Sequence, residues 1–122
     1  MPILEVELVM DDGEPLRAGL ARALADAAGD VLGTPAGRTW VRLRTLPKGQ
    51  YAECRAEVSK DVRPVFVTVL KSRVGGPKEL KEEAAKLCAA LARACGRPPE
   101  NVHILYLPEA AGRMSFGGEL VG

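Results

Sequence analysis

Pro2-Ile3-Leu4-Glu5-Val6-Glu7-Leu8-Val9 opens the chain as an alternating run, with Leu4, Val6 and Leu8 on one face. Pro64, followed by Val65 to Leu70, starts a second run at an offset of about 62 residues. That run is nearly all apolar, as in a strand covered on both faces. Further matches continue outward from the two prolines at offsets between 61 and 63. Gly13 meets Gly75, Pro15 meets Pro77, Gly33 meets Gly96, and Pro35 meets Pro98. Val41 meets Val102, and Leu46-Pro47 meets Leu107-Pro108. The 122 residues therefore read as one domain of two pseudo-repeats, about 1–61 and 62–122.

Each half reads as strand, helix, strand. In the first, Ile3–Val9 is the strand, and Pro15 suits a first helical turn after Asp11, Asp12 and Glu14. Leu16, Leu20, Leu24, Ala27 and Val31 form the helical stripe, which Gly33 and Pro35 end. Trp40–Leu46 alternates again, Val41 and Leu43 one way, Arg42 and Arg44 the other. In the second half the helix starts at Pro77 and buries Leu80, Ala84, Leu87, Cys88, Leu91 and Cys95. Gly96 and Pro98 stop it, and Val102–Leu107 closes the unit.

Such a unit implies a parallel strand pair with a right-handed crossover. A single unit of this size is marginal alone. Two of them predict an α+β fold, a four-stranded mixed sheet with both helices on one face. The other face would carry Val65, Val67 or their neighbours with Ile3 and Val9, so burial in an oligomer is expected.

Composition narrows the function. The net charge is +1, from 17 Lys and Arg against 16 Asp and Glu, which speaks against nucleic acid or an anionic membrane as partner. No apolar run approaches the length of a membrane span. The first residues carry acids where a signal peptide carries bases, pointing to a mature, cytoplasmic chain. Cys54, Cys88 and Cys95 lack zinc-like spacing and read as small apolar residues of a reduced compartment. His103 is the lone histidine, so no metal site and no cofactor are expected.

Pro2 carries the most chemistry. Removal of Met1 would leave a secondary amine able to act as general base, with a reference pKa of about 8 that burial or nearby cations lower. Pro64 lies within the chain and cannot do this. Abstraction of a proton beside a carbonyl also needs cations for a carboxylate and the developing enolate. Arg42 and Arg44 on one strand, and Lys71 and Arg73 beyond another, are candidates.

Pro2 at a strand head, the strand-helix-strand units and the tail Gly112-Arg113-Met114-Ser115-Phe116-Gly117-Gly118-Glu119-Leu120 together resemble the tautomerase superfamily. That family includes 4-oxalocrotonate tautomerase and macrophage migration inhibitory factor. The resemblance covers the whole chain and is strongest to members that fuse two short units. It implies a trimer, and Pro2 as catalytic acid-base. Val41-Arg42-Leu43 is similar to the second-strand motif whose arginine binds substrate from a neighbouring unit, which gives Arg42 a catalytic role. Lys48-Gly49-Gln50-Tyr51 resembles the family's Lys-Gly-His-Phe, making Tyr51 a hydrophobic wall residue. Met114, the repeat mate of Tyr51, and nearby Phe116 are placed in the substrate pocket on the same ground. Lys71 falls where dehalogenase members carry an arginine, and Arg73 one residue short of their second. Those members also need a water-activating acid in the region of Phe116, which cannot supply it, while Glu53 sits in the equivalent place of the first half.

The resemblance thus implies a keto-enol tautomerase or isomerase acting on small 2-oxo or 2-hydroxy-dienoate carboxylates. Its alternatives are a catalytically silent binding protein of the same fold and a haloacrylate dehalogenase or hydratase. The same βαββαβ string of elements also describes ferredoxin-like RNA-recognition modules, whose sheet would be antiparallel and whose central aromatics are missing here.

Overall fold

The computed structural model describes residues 2–122. Met1 removal, on which the Pro2 chemistry depends, concerns a residue outside them. Strands β1 (Pro2–Met10), β2 (Trp40–Pro47), β3 (Val65–Lys71) and β4 (Val102–Tyr106) form one sheet in the order β2-β1-β3-β4. β1 runs parallel to β2 and antiparallel to β3, and β3 runs parallel to β4. The sheet is therefore mixed, and the all-antiparallel arrangement of a ferredoxin-like module is excluded.

Helices α1 (Leu20–Leu32) and α2 (Pro77–Cys95) cover one face. Leu4, Val6 and Leu8 of β1 meet Val65, Val67 and Val69 of β3 beneath Leu20, Leu24 and Ala28 of α1 and Leu87, Leu91 and Ala92 of α2. Burial of these aliphatic side chains is the main stabilising term, about 1.5–3 kcal/mol for each large one. Both helices end on a glycine in the left-handed region, Gly33 and Gly96, each at φ 67°.

Two expectations change. First, α1 starts at Leu20, five residues after Pro15, because Gly19 at φ 78° interrupts any earlier turn. Leu16 is half-exposed and leaves the stripe. The acids before it serve a tertiary network instead. Glu14 accepts from Arg63 at 3.0 Å and from buried Arg97 at 3.4 Å, while Asp11 pairs with Lys48 at 3.5 Å. Arg97 also donates to the Arg63 carbonyl at 2.6 Å.

Second, the residues of β3 that face the helices are the opposite set from the one expected, and within one chain only that face is covered. Phe66 is exposed while Val65, Val67 and Val69 are buried beneath the helices. The open face therefore carries Phe66, Thr68 and Leu70 in place of Val65 and Val67. The tail forms a hairpin of β5 (Ser115–Phe116) and β6 (Glu119–Leu120), turning on Gly117 and Gly118. Both glycines have positive φ, as a tight two-residue turn requires. Among the described residues, no helix is long and apolar enough to cross a membrane.

Candidate active site

Pro2 is buried at the head of β1 and stands directly opposite Lys71, the last residue of β3. Residues so paired on antiparallel strands have Cα atoms about 4.5–5.5 Å apart and side chains on one face. Pro2 continues the Leu4-Val6-Leu8 row, so its ring lies on the helix side. Lys71 continues the Val65-Val67-Val69 row onto the same side. Its ammonium meets Glu83 of α2 at 2.8 Å. The second Glu83 oxygen accepts the Tyr106 hydroxyl at 2.9 Å. Burial pushes the Tyr106 phenol well above its usual pKa, and the hydrogen bond to Glu83 and that carboxylate's charge add to the shift. The sheet end thus joins Pro2, a lysine, a carboxylate and a tyrosine kept protonated.

The other sequence candidates lie elsewhere. Arg42 is on the open face, opposite Glu5, and its guanidinium meets that carboxylate at 2.6 Å. Arg44 reaches the same Glu5 oxygen at 3.5 Å. Neither side chain shares a face with Pro2. Arg73 is exposed in the loop beyond β3 and makes no ion pair among the described residues. Tyr51 donates its hydroxyl to Glu53 and packs its ring against Phe66 at 6.0 Å, with His103 beyond at 5.5 Å. Phe66 pairs with Glu7, so this aromatic tier lies about 16 Å along β1 from Pro2.

Met114 and Phe116 fall nearer. Met114 lines a cleft of about 240 Å³ with Leu70, Leu107, Pro108, Ala110 and Arg113, beside the end of β3. The Phe116 ring meets Trp40 edge-on at 5.1 Å. Leu70 and Trp40 both pair with Ile3, so the stretch from Met114 to Phe116 crosses the open face one residue from Pro2. Met114 and Phe116 therefore lie at the same end of the sheet as Pro2 and Lys71 but on its open face, the face that also carries Arg42 and Tyr51.

Solved structures share this arrangement of strands and helices. Macrophage migration inhibitory factor from Oncomelania hupensis superposes with a TM-score of 0.73 at 20% identity, covering 100% of this chain and 83% of that one. A fused 4-OT solved as an asymmetric trimer gives 0.74 at 19% identity, covering 97% and 94%. The chain shares the fold of these two structures. Pt0534, solved after inactivation by 2-oxo-3-pentynoate, matches with a TM-score of 0.74 at 18% identity over 98% and 95%. No family model and no curated protein matches the sequence.

On this fold, sequence reasoning missed Glu83 and Tyr106. Tyr106 sits two residues after Ile104 on the same strand face, a signal that was available. Glu83 was hidden because its approach to Lys71 depends on where the crossover helix settles over the sheet.

Proposed function

We propose that the chain is a keto-enol tautomerase that uses Pro2, freed by removal of Met1, as general acid-base on small 2-oxo or 2-hydroxy-dienoate carboxylates. The observation carrying this reading is the placement of Pro2, buried at a strand head with Lys71 directly across from it. A free α-amine has an ordinary pKa of about 8, and both burial and the Lys71 charge favour its neutral form. The nitrogen lone pair takes a proton from the substrate's hydroxyl or from the carbon beside the carbonyl. The electron pair delocalises through the conjugated system, and the same nitrogen returns the proton to its far end. Lys71, with Arg73 from the adjoining loop, holds the carboxylate and the developing oxyanion.

Arg42 enters this scheme from a neighbouring copy, since its own chain turns it away from Pro2. A trimer packed through the open sheet faces is part of the proposal, supported by the trimeric fused 4-OT of the same fold and by the exposed Phe66 and Leu105. Tyr51 would then wall a neighbour's pocket, with Met114 and Phe116 completing it, in a cytoplasmic enzyme. The dehalogenase or hydratase alternative needs an acid to activate water. Phe116 holds that region and packs on Trp40, which favours the isomerase reading.

The test combines intact mass with kinetics. With Met1 shown to be absent, Pro2→Ala is expected to lower turnover of a 2-hydroxydienoate about 100-fold or more. An unchanged rate overturns the proposal. The engagement of Arg42 by Glu5 favours a second reading, a silent binding protein of this fold. A processed chain that leaves such substrates untouched while retaining its oligomeric state would decide for it.

A further inference from the structure

We propose that Glu83 is a positioning residue for the Pro2 site, clamping the Lys71 ammonium beneath the sheet end and offsetting the field that ammonium exerts on the proline nitrogen. This rests on the reading of Pro2 as the reacting amine. The geometry behind it is a three-membered cluster. One Glu83 oxygen meets Lys71 at 2.8 Å and the other accepts Tyr106 at 2.9 Å. Both members of the ion pair are only about a fifth exposed, so water and salt screen them weakly. Lys71 is the residue paired with Pro2, so wherever Glu83 draws the ammonium, the charge beside the proline goes with it.

The other groups around the sheet end do not duplicate this. From β2, the nearest register position is Trp40, against Ile3. From α1, the side chains packed toward the sheet near its end are Ala28, Val31 and Leu32, none of which titrates. From the tail, Glu109 is bound to the Val74 N–H and Arg113 to the Glu109 carbonyl. Arg73 lies exposed in the following loop. Tyr106, on β4, stays protonated against Glu83.

The two partners of the ion pair act on the amine with opposite sign. The Lys71 cation favours the neutral amine and lowers its pKa, while the Glu83 anion favours the charged amine and raises it. Glu83→Gln, which can still hydrogen-bond both neighbours, should therefore shift the titration of the amine to lower pH. Lys71→Met should shift it to higher pH. Shifts of about half a pH unit or more are expected for charges this close and this poorly screened.

The readout is the pH dependence of adduct formation between Met1-free protein and 2-oxo-3-pentynoate. In that reaction the proline nitrogen forms a bond to the outer alkyne carbon while the alkyne π pair moves toward the carbonyl. The amine proton ends on carbon, nothing leaves, and the N-terminal peptide gains the mass of the reagent acid. Glu83→Gln moving the midpoint down and Lys71→Met moving it up, in proteins that melt cooperatively, is the expected result. An adduct on Pro2 with midpoints equal to the parent overturns the role of Glu83 and leaves that of Pro2 standing. A parent chain whose Pro2 takes no adduct overturns both. Should Glu83→Gln fail to fold, Lys71→Met alone decides, and an unmoved midpoint there also overturns the proposal.

Discussion

Arg42 lies 2.6 Å from Glu5 on the sheet face turned away from Pro2. Within one chain the two residues that the family resemblance pairs in catalysis are separated by the sheet itself. If Arg42 serves a neighbour's Pro2, subunits lacking one residue can complement subunits lacking the other. Refolding Pro2→Ala with Arg42→Ala chains in equal amounts should restore activity to about a quarter of the sites, by random assembly of a cyclic trimer. Assay of the mixture against each parent variant checks this, and a mixture as inactive as its parents counts against a shared site.

The Glu14 network sets an acid limit on stability. Burial alone would raise the Glu14 pKa, but the Asp11 N–H together with Arg63 and Arg97 outweighs it and holds the carboxyl below its ordinary value. A carboxyl lowered in the folded state stabilises fully above about pH 5 and ceases to do so as pH falls through its folded value. Glu14→Gln leaves buried Arg97 less well compensated and should cost about 1–2 kcal/mol at neutral pH. Urea melts should show that gap closing below about pH 4.

Leu24 is fully buried between α1 and the sheet, whereas Leu16 is half-exposed ahead of the helix. Leu24→Ala should lose about 2–5 kcal/mol through transfer and cavity terms. Leu16→Ala should change stability by less than about 0.5 kcal/mol. Chemical denaturation of the two variants separates the observed helix start from one at Pro15.

Trp40 is the sole tryptophan, and it touches Phe116 of the tail hairpin. Its fluorescence is thus a local probe of whether the hairpin is docked. Phe116→Ala should shift the emission to longer wavelength while costing far less in global stability than Leu24→Ala. Emission spectra and melts on the same samples test this.

The strands facing the helices were readable because Leu4, Val6 and Leu8 alternate with glutamates, which leaves one possible inner face. Phe66 was harder, since Val65-Phe66-Val67 is apolar at every position and only pairing with β1 decides which side chains turn inward. Gly33 and Gly96 marked the helix ends correctly, because a left-handed cap is a local requirement. Pro15 misled for the complementary reason. A proline after acids satisfies the local rule for a helix start, yet Glu14 is claimed by Arg97, 83 residues away. Lys71 follows from counting on from Pro64 and Tyr106 from its alternation with Ile104, while Glu83 depends on a tertiary placement that no local pattern encodes.

The central position of β1 also has a consequence in time. β1 leaves the ribosome ahead of its parallel partner β2, which follows within the same half. Its other edge stays uncovered until β3 has been made, some sixty residues later. During that interval a row of main-chain donors and acceptors, and the apolar side chains beneath it, stand open to wrong partners. Completion of the Pro2 end therefore waits for the arrival of Lys71, and slow synthesis or a truncated message would leave a half-chain with its most aggregation-prone strand exposed.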